Sequence, residues 1–236
     1  MHMYIFKNSK GFYNNYFKIY DVKQKKVKFT GLILILMFII SLISPAPSNY
    51  LKSIAIGYKL KSCDNLYDYI IPLISAFTII YVFYQDYSIG MYELITFYNR
   101  NEFNYIVLYR WLIYSLAFSF GSFVTGLIYY RNISFLDIKN LLLSARFIPN
   151  ILFLCSLVLL IITVFKNIYA AILILTSYYC IDLLSSGSMF KIFSIGANTN
   201  NFYYIISPEY YILNRLILIF FSFVFIFISC KVTAKA

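Results

Sequence analysis

The sequence predicts an all-α fold: a polytopic membrane protein with six transmembrane helices, an N-terminal interfacial helix, a short cytoplasmic helix after the second crossing and short re-entrant helices on the outer side. Three observations predict it. Hydrophobic residues make up 61% of the 236 residues and charged ones 12%, which is more apolar surface than a soluble core of this length holds. Apolar runs recur at lengths close to the roughly 17–25 residues that a helix needs to cross a hydrocarbon layer. The polar stretches between these runs are too short to form a separate domain. The chain therefore divides into a basic cytoplasmic segment, 1–28, and a transmembrane domain, 29–236, with spans at about 29–44, 66–84, 105–130, 147–165, 168–184 and 209–230.

Within the first segment, Phe12, Tyr13, Tyr16, Phe17 and Tyr20 recur at i, i+1, i+4, i+5 and i+8, the stripe of a helix lying on a membrane surface. Lys18, Lys23, Lys25, Lys26 and Lys28 then crowd against the first span. By the positive-inside rule this end is cytoplasmic. With that orientation twelve Lys and Arg fall inside and eight outside, a bias supplied almost wholly by the first segment. No small-x-small cleavage site follows the first apolar run, so it is expected to stay as a span rather than leave as a signal peptide. Pro45 and Pro47 stop that helix, and 45–65 is an outer loop whose Lys52, Lys59 and Lys61 run against the charge bias. The second span, with Pro72 in its early part, returns the chain inside.

The stretch 85–110 that follows is too polar to cross a bilayer. Met91, Leu94, Ile95 and Tyr98 fall at i, i+3, i+4 and i+7 with Glu93, Thr96 and Arg100 opposite, the pattern of an amphipathic helix. Asp86 or Ser88 supplies an N-cap, and Glu93 and Arg100 lie toward the ends that suit the helix dipole. On pattern alone this is an interfacial connector between spans. The third span opens with Arg110, expected to snorkel toward headgroups, and Trp111, a residue suited to the interface.

Residues 131–146 form an outer connector with an apolar patch, Leu141 to Leu143. Pro149 is tolerated in the first turn of the fourth span, and Lys166-Asn167 is a tight inner turn. In 185–210, Met189, Phe190, Ile192, Phe193 and Ile195 are too few to span and too apolar for a solvated loop. They are expected to form a short helix dipping into the outer leaflet, broken over Gly196 to Asn201. Ser207 as N-cap and Pro208 at the first helical position start the sixth span. Asp182 and Arg215 are the ionisable groups set deepest in apolar runs; they are expected to form an intramembrane ion pair or to face a polar cavity.

Catalytic chemistry is poorly supplied. There is no G-x-x-x-x-G-K-[ST], H-E-x-x-H or G-x-S-x-G motif, and the glutamates are Glu93, Glu102 and Glu209 with His2 the single histidine. Cys63, Cys155, Cys180 and Cys230 have no C-x-x-C spacing. No catalytic residues and no metal site are expected. The formal charge of +11 sits largely beside apolar runs, which points to anionic lipid headgroups of the bilayer and not to nucleic acid.

Asp86, Gly90, Glu93 and Leu94 form an acidic-x-x-x-Gly-x-x-Glu-Leu pattern after the second span. Together with the surface helix before the first span, the Lys166-Asn167 turn, the outer re-entrant stretch and Pro208 ahead of Asn214 and Arg215, it resembles the ABC-type-2 transporter permease family. The resemblance implies the six-span membrane subunit of an ATP-driven ABC exporter. Two permease chains, alike or different, would form the pathway, and a coupling helix bearing Asp86, Gly90, Glu93, Leu94 and Arg100 would dock on a separate ABC ATPase subunit. It implies no enzymatic activity and no cofactor in this chain, ATP and Mg being bound by the partner. It also implies a bacterial cytoplasmic membrane location with both termini inside. The competing expectation is a stand-alone integral membrane immunity or scaffold protein that transports nothing.

Overall fold

The helix Ile148–Phe165 sits at the centre of the fold, and its sequence explains why. Ile151, Leu154, Cys155, Val158, Leu159 and Ile162 recur at i, i+3, i+4, i+7, i+8 and i+11, and all are fully buried. Its polar side chains close onto near neighbours. The Cys155 thiol donates to the Ser75 hydroxyl at 3.4 Å, and Ser156 and Thr163 donate to the Leu152 and Leu160 carbonyls. Such internal satisfaction is what lets polar groups sit inside an apolar helix away from water.

The computed structural model describes residues 22–46, 69–88, 92–93, 103–133, 135–185, 187–196 and 208–235. Among them regular structure is helical throughout: α1 (Val22–Ile43), α2 (Ile71–Ser88), α3 (Phe103–Tyr129), α4 (Ile138–Ala145), α5 (Ile148–Phe165), α6 (Ile168–Leu184) and α7 (Pro208–Lys235), with 3-10 turns at Tyr130–Asn132 and Lys191–Phe193. No strand occurs among the described residues. Helix α5 packs on α2, α3, α6 and α7, while α1 lies at the edge against α3 and α2.

Four helices are long and apolar enough to cross a membrane, over Lys26–Ile43, Asn104–Asn132, Asn140–Phe165 and Ile212–Thr233. They mark the protein as membrane-embedded. The expected six reduce to four on this measure for two local reasons. Helix α6 is apolar but only 17 residues long, and α2 ends in Gln85, Asp86, Tyr87 and Ser88.

The long helices alternate in direction, as side-chain contacts between their ends show. Lys26 of α1 reaches the Val82 carbonyl of α2, Asp86 of α2 meets Arg110 of α3, and Cys230 of α7 lies 4.0 Å from the Asn104 carbonyl of α3. Between α5 and α6 the reversal takes two residues. Lys166 adopts the left-handed conformation (φ 51°), and the Asn167 side chain caps α6 by accepting from the Tyr169 N–H at 2.8 Å. Lys166 therefore marks one end of the bundle and Asp182 the other.

Several expectations are corrected. Residues 1–21 of the expected interfacial helix lie outside the described residues, but 22–28 belong to α1 itself, and Lys26 is buried rather than solvated. Helix α2 runs on to Ser88, so Asp86 lies in its last turn and is not the N-cap of a following helix. Arg110 and Trp111 are buried within the protein, and Arg110 faces the Asp86 carboxylate across the helix pair instead of snorkelling outward. The expected connector 131–146 contains a helix, α4, capped by Asp137, whose side chain accepts from the Ile138 N–H at 2.7 Å. The apolar stretch 189–195 is turns with one 3-10 turn instead of a re-entrant helix. Gly187 (φ 80°) and Lys191 (φ 48°) take left-handed conformations there, which interrupt an α-helix.

Candidate functional site

At the Lys166 end, three helices converge on one acid. Arg110 of α3 donates to Asp86 of α2, and both side chains are almost fully buried. Lys26 of α1 lies within electrostatic reach of both. Its ammonium donates to the Val82 carbonyl at 2.6 Å and sits 5.8 Å from the centre of the Tyr81 ring. Arg110 also lies over Phe83 at 5.6 Å. A carboxylate between two cations is the arrangement that makes burial of charge tolerable, and removal of the acid leaves like charges facing each other.

Beyond this lock the surface turns outward. Tyr87, in the last turn of α2, stacks on Tyr92 with ring centres 5.1 Å apart and planes 17° from parallel. The Lys166 ammonium lies 5.3 Å from the centre of the Tyr92 ring. The Tyr92 hydroxyl donates to Glu93 Oε1 at 3.0 Å. Desolvation first, then this bond to Glu93, pushes the Tyr92 phenol above its ordinary pKa. Glu93 is exposed. An acidic side chain is thus presented on an aromatic pedestal that touches both the end of α2 and the α5–α6 turn.

At the Asp182 end, side chains from three helices are spent on the backbone of one short segment. The Asp182 carboxylate accepts from the Ile195 and Gly196 N–H groups at 3.0 and 3.2 Å, with the Ser194 hydroxyl beside it. Asn150 of α5 donates to the Ile195 carbonyl at 3.0 Å, and Asn214 of α7 donates to the Ile192 and Ser194 carbonyls at 2.6 and 3.1 Å. Tyr178 donates to the Phe193 carbonyl. A Cβ on Gly196 would overlap the Tyr69 phenol, so this position accepts only glycine while that ring stays in place. In an apolar surrounding, a non-helical segment of this kind needs its backbone groups answered, and these side chains answer four of its carbonyls and two of its N–H groups.

The sequence-predicted residues divide accordingly. Asp86, expected among the partner contacts, is sequestered by Arg110 because α2 carries it inward one turn before the chain leaves the helix. Glu93 lies on the surface, whereas Gly90, Leu94 and Arg100 lie outside the described residues. Asp182 and Arg215 belong to one buried cluster, and Arg215 acts on the carboxylate electrostatically. Their described hydrogen bonds run to other groups: the Asp182 carboxylate accepts from the 195–196 backbone, and Arg215 donates to the Asn150 side-chain oxygen Oδ1. A direct ion pair is therefore replaced by a network, since free backbone N–H groups and a side-chain amide reach the two charges first. Lys26 and Asn150 were not foreseen. Lys26 is one lysine in a cluster, and the sign that separates it from the others is its place one turn before Thr30, on the buried side of α1. Asn150 is signalled by an amide set directly after Pro149 at the head of an apolar run.

No family model, characterised protein or solved structure matches the chain. Among the described residues no group of three or more His, Cys, Asp or Glu is placed to hold a metal.

Proposed function

We propose that the chain is the membrane-spanning permease subunit of an ATP-driven ABC exporter. In this reading it crosses the bilayer six times, with α2 and the 17-residue α6 completing the set as shorter or polar-ended spans. Two chains form the pathway, and separate ATPase subunits bind ATP and Mg. The observation that supports it is the exposed Glu93 on the Tyr87–Tyr92–Lys166 stack. A partner pressing on that carboxylate pushes at once on the end of α2 and on the turn between α5 and α6. Directly inward of this pedestal, the Asp86–Arg110–Lys26 lock ties α2 to α3 and α1, so a push is passed to three helices as a body. Movement of packed helices as rigid units is the ordinary way a small displacement at one end becomes a change of state. The role of Asp86 in this account is internal: it holds the handle to the bundle and does not touch the partner.

The test is co-purification. The tagged chain should retain the ATPase encoded beside its gene, and Glu93→Lys should lower the recovered ATPase by about tenfold or more, since reversing a charge at a contact costs on the order of 1–2 kcal/mol or more. Failure of every neighbouring ATPase to co-purify, with function intact in Glu93→Lys, would leave a stand-alone membrane protein as the better reading.

A further inference from the structure

Helix α4 has the reverse polarity of a helix on a watery surface. Ile138, Leu141 and Leu142 lie at i, i+3 and i+4 on one face and are 70%, 39% and 67% exposed. The opposite face carries Asn140 and Ser144, both fully buried. Asn140 donates to the Leu127 carbonyl at 3.1 Å, and the Ser144 hydroxyl donates to the Asn140 side-chain oxygen at 3.1 Å. Ser144 packs so closely on α3 that a Cβ at Gly126 would meet its Cα and Cβ at 3.1–3.2 Å. Just before the helix, Phe135 and Leu136 are exposed by 69% and 61% and extend the apolar patch.

A cluster of five large apolar side chains in water is unfavourable at roughly 25 cal/mol per Å². The eight residues of α4 are too few to cross a bilayer. The apolar stretch Asn140–Phe165 takes in most of α4, but the turn at 146–147 sets α4 apart from the 18-residue α5, so α4 joins α5 to the long apolar α3. It therefore sits at the level where spans end. We infer that α4 lies in the interfacial layer of the leaflet at the Asp182 end, with Phe135, Leu136, Ile138, Leu141 and Leu142 inserted among lipid acyl chains. Lipid is favoured over a second copy of the chain on area. Five partly exposed side chains fall short of the roughly 800 Å² per partner of a stable interface, whereas a helix lying in a membrane needs only its apolar face immersed by about 5–10 Å. The buried polar face has a corresponding purpose: it fixes α4 to α3 with that apolar face outward.

The inference depends on membrane embedding and not on transport. In a chain whose four cysteines are replaced by alanine, single cysteines at Ile138 and Leu142 are tagged with an environment-sensitive fluorophore, and the purified chain is placed in lipid nanodiscs. Lipids brominated on their acyl chains should quench the emission by about twofold or more, and aqueous iodide should leave it unchanged. Quenching by iodide overturns the inference in favour of a solvated connector. Protection from both quenchers overturns it in favour of a protein cover. If the cysteine-free chain does not remain monodisperse, a fluorescent amino acid introduced at position 142 of the natural chain gives the same readout.

Discussion

Asp86→Ala is expected to cost about 3–5 kcal/mol of stability, because it leaves Arg110 and Lys26 buried together without the acid between them. Net stabilities of about 5–15 kcal/mol make this a large share, so the yield of folded chain should fall with it. Trp111 is the single tryptophan of the sequence and is buried next to Arg110, and its fluorescence therefore reports on the joint as denaturant is added. The double exchange Asp86→Arg with Arg110→Asp should recover part of the loss, since the opposite charges face each other again. Recovery should be incomplete, because Lys26 and the Phe83 ring are arranged for the natural order. An Asp86→Ala chain as stable as the natural one would show that the lock contributes nothing.

The second large effect is expected at the other end. Asp182→Ala removes the acceptor of two backbone N–H groups, each hydrogen bond to a charged group being worth roughly 1.5–3 kcal/mol. Amide exchange at Ile195 and Gly196 should accelerate by about a hundredfold or more, while exchange in the middle of α5 changes little. Asp182→Asn retains an oxygen to accept those bonds and should lie between the two. Equal exchange at 195 and 196 in all three chains would mean that the segment is held without the Asp182 carboxylate.

These two sites also show what the sequence discloses and what it withholds. The apolar runs at 147–165 and 168–184 coincide with α5 and α6, because a run of Ile, Leu and Val between Pro149 and the Lys166-Asn167 turn leaves little choice of period or boundary. Charges are harder to place. Asp86 and Arg110 flank a polar stretch, and each has a reasonable solitary role there, as a helix cap or a snorkelling cation. Only the antiparallel packing of α2 on α3 brings them to the same depth. The composition of the stretch 189–195 predicts a helix. Its backbone is instead held by Asn150, Asp182 and Asn214 from three helices, partners between 20 and 45 residues away for the asparagines, which no local pattern reveals. Arg215 stands out in the sequence as a charge set deep in an apolar run, and Asn214 only through resemblance; their neighbour in space, Asn150, has no such mark.

The central claim is that the Tyr92–Glu93 surface is a handle on the cytoplasmic side of the membrane. It is tested most directly by placing a lone cysteine at position 93 of a chain freed of its other thiols and treating intact cells with a membrane-impermeant maleimide. The account predicts no labelling until the membrane is opened or inverted, after which position 93 reacts readily. Labelling of position 93 from outside the intact cell would contradict it.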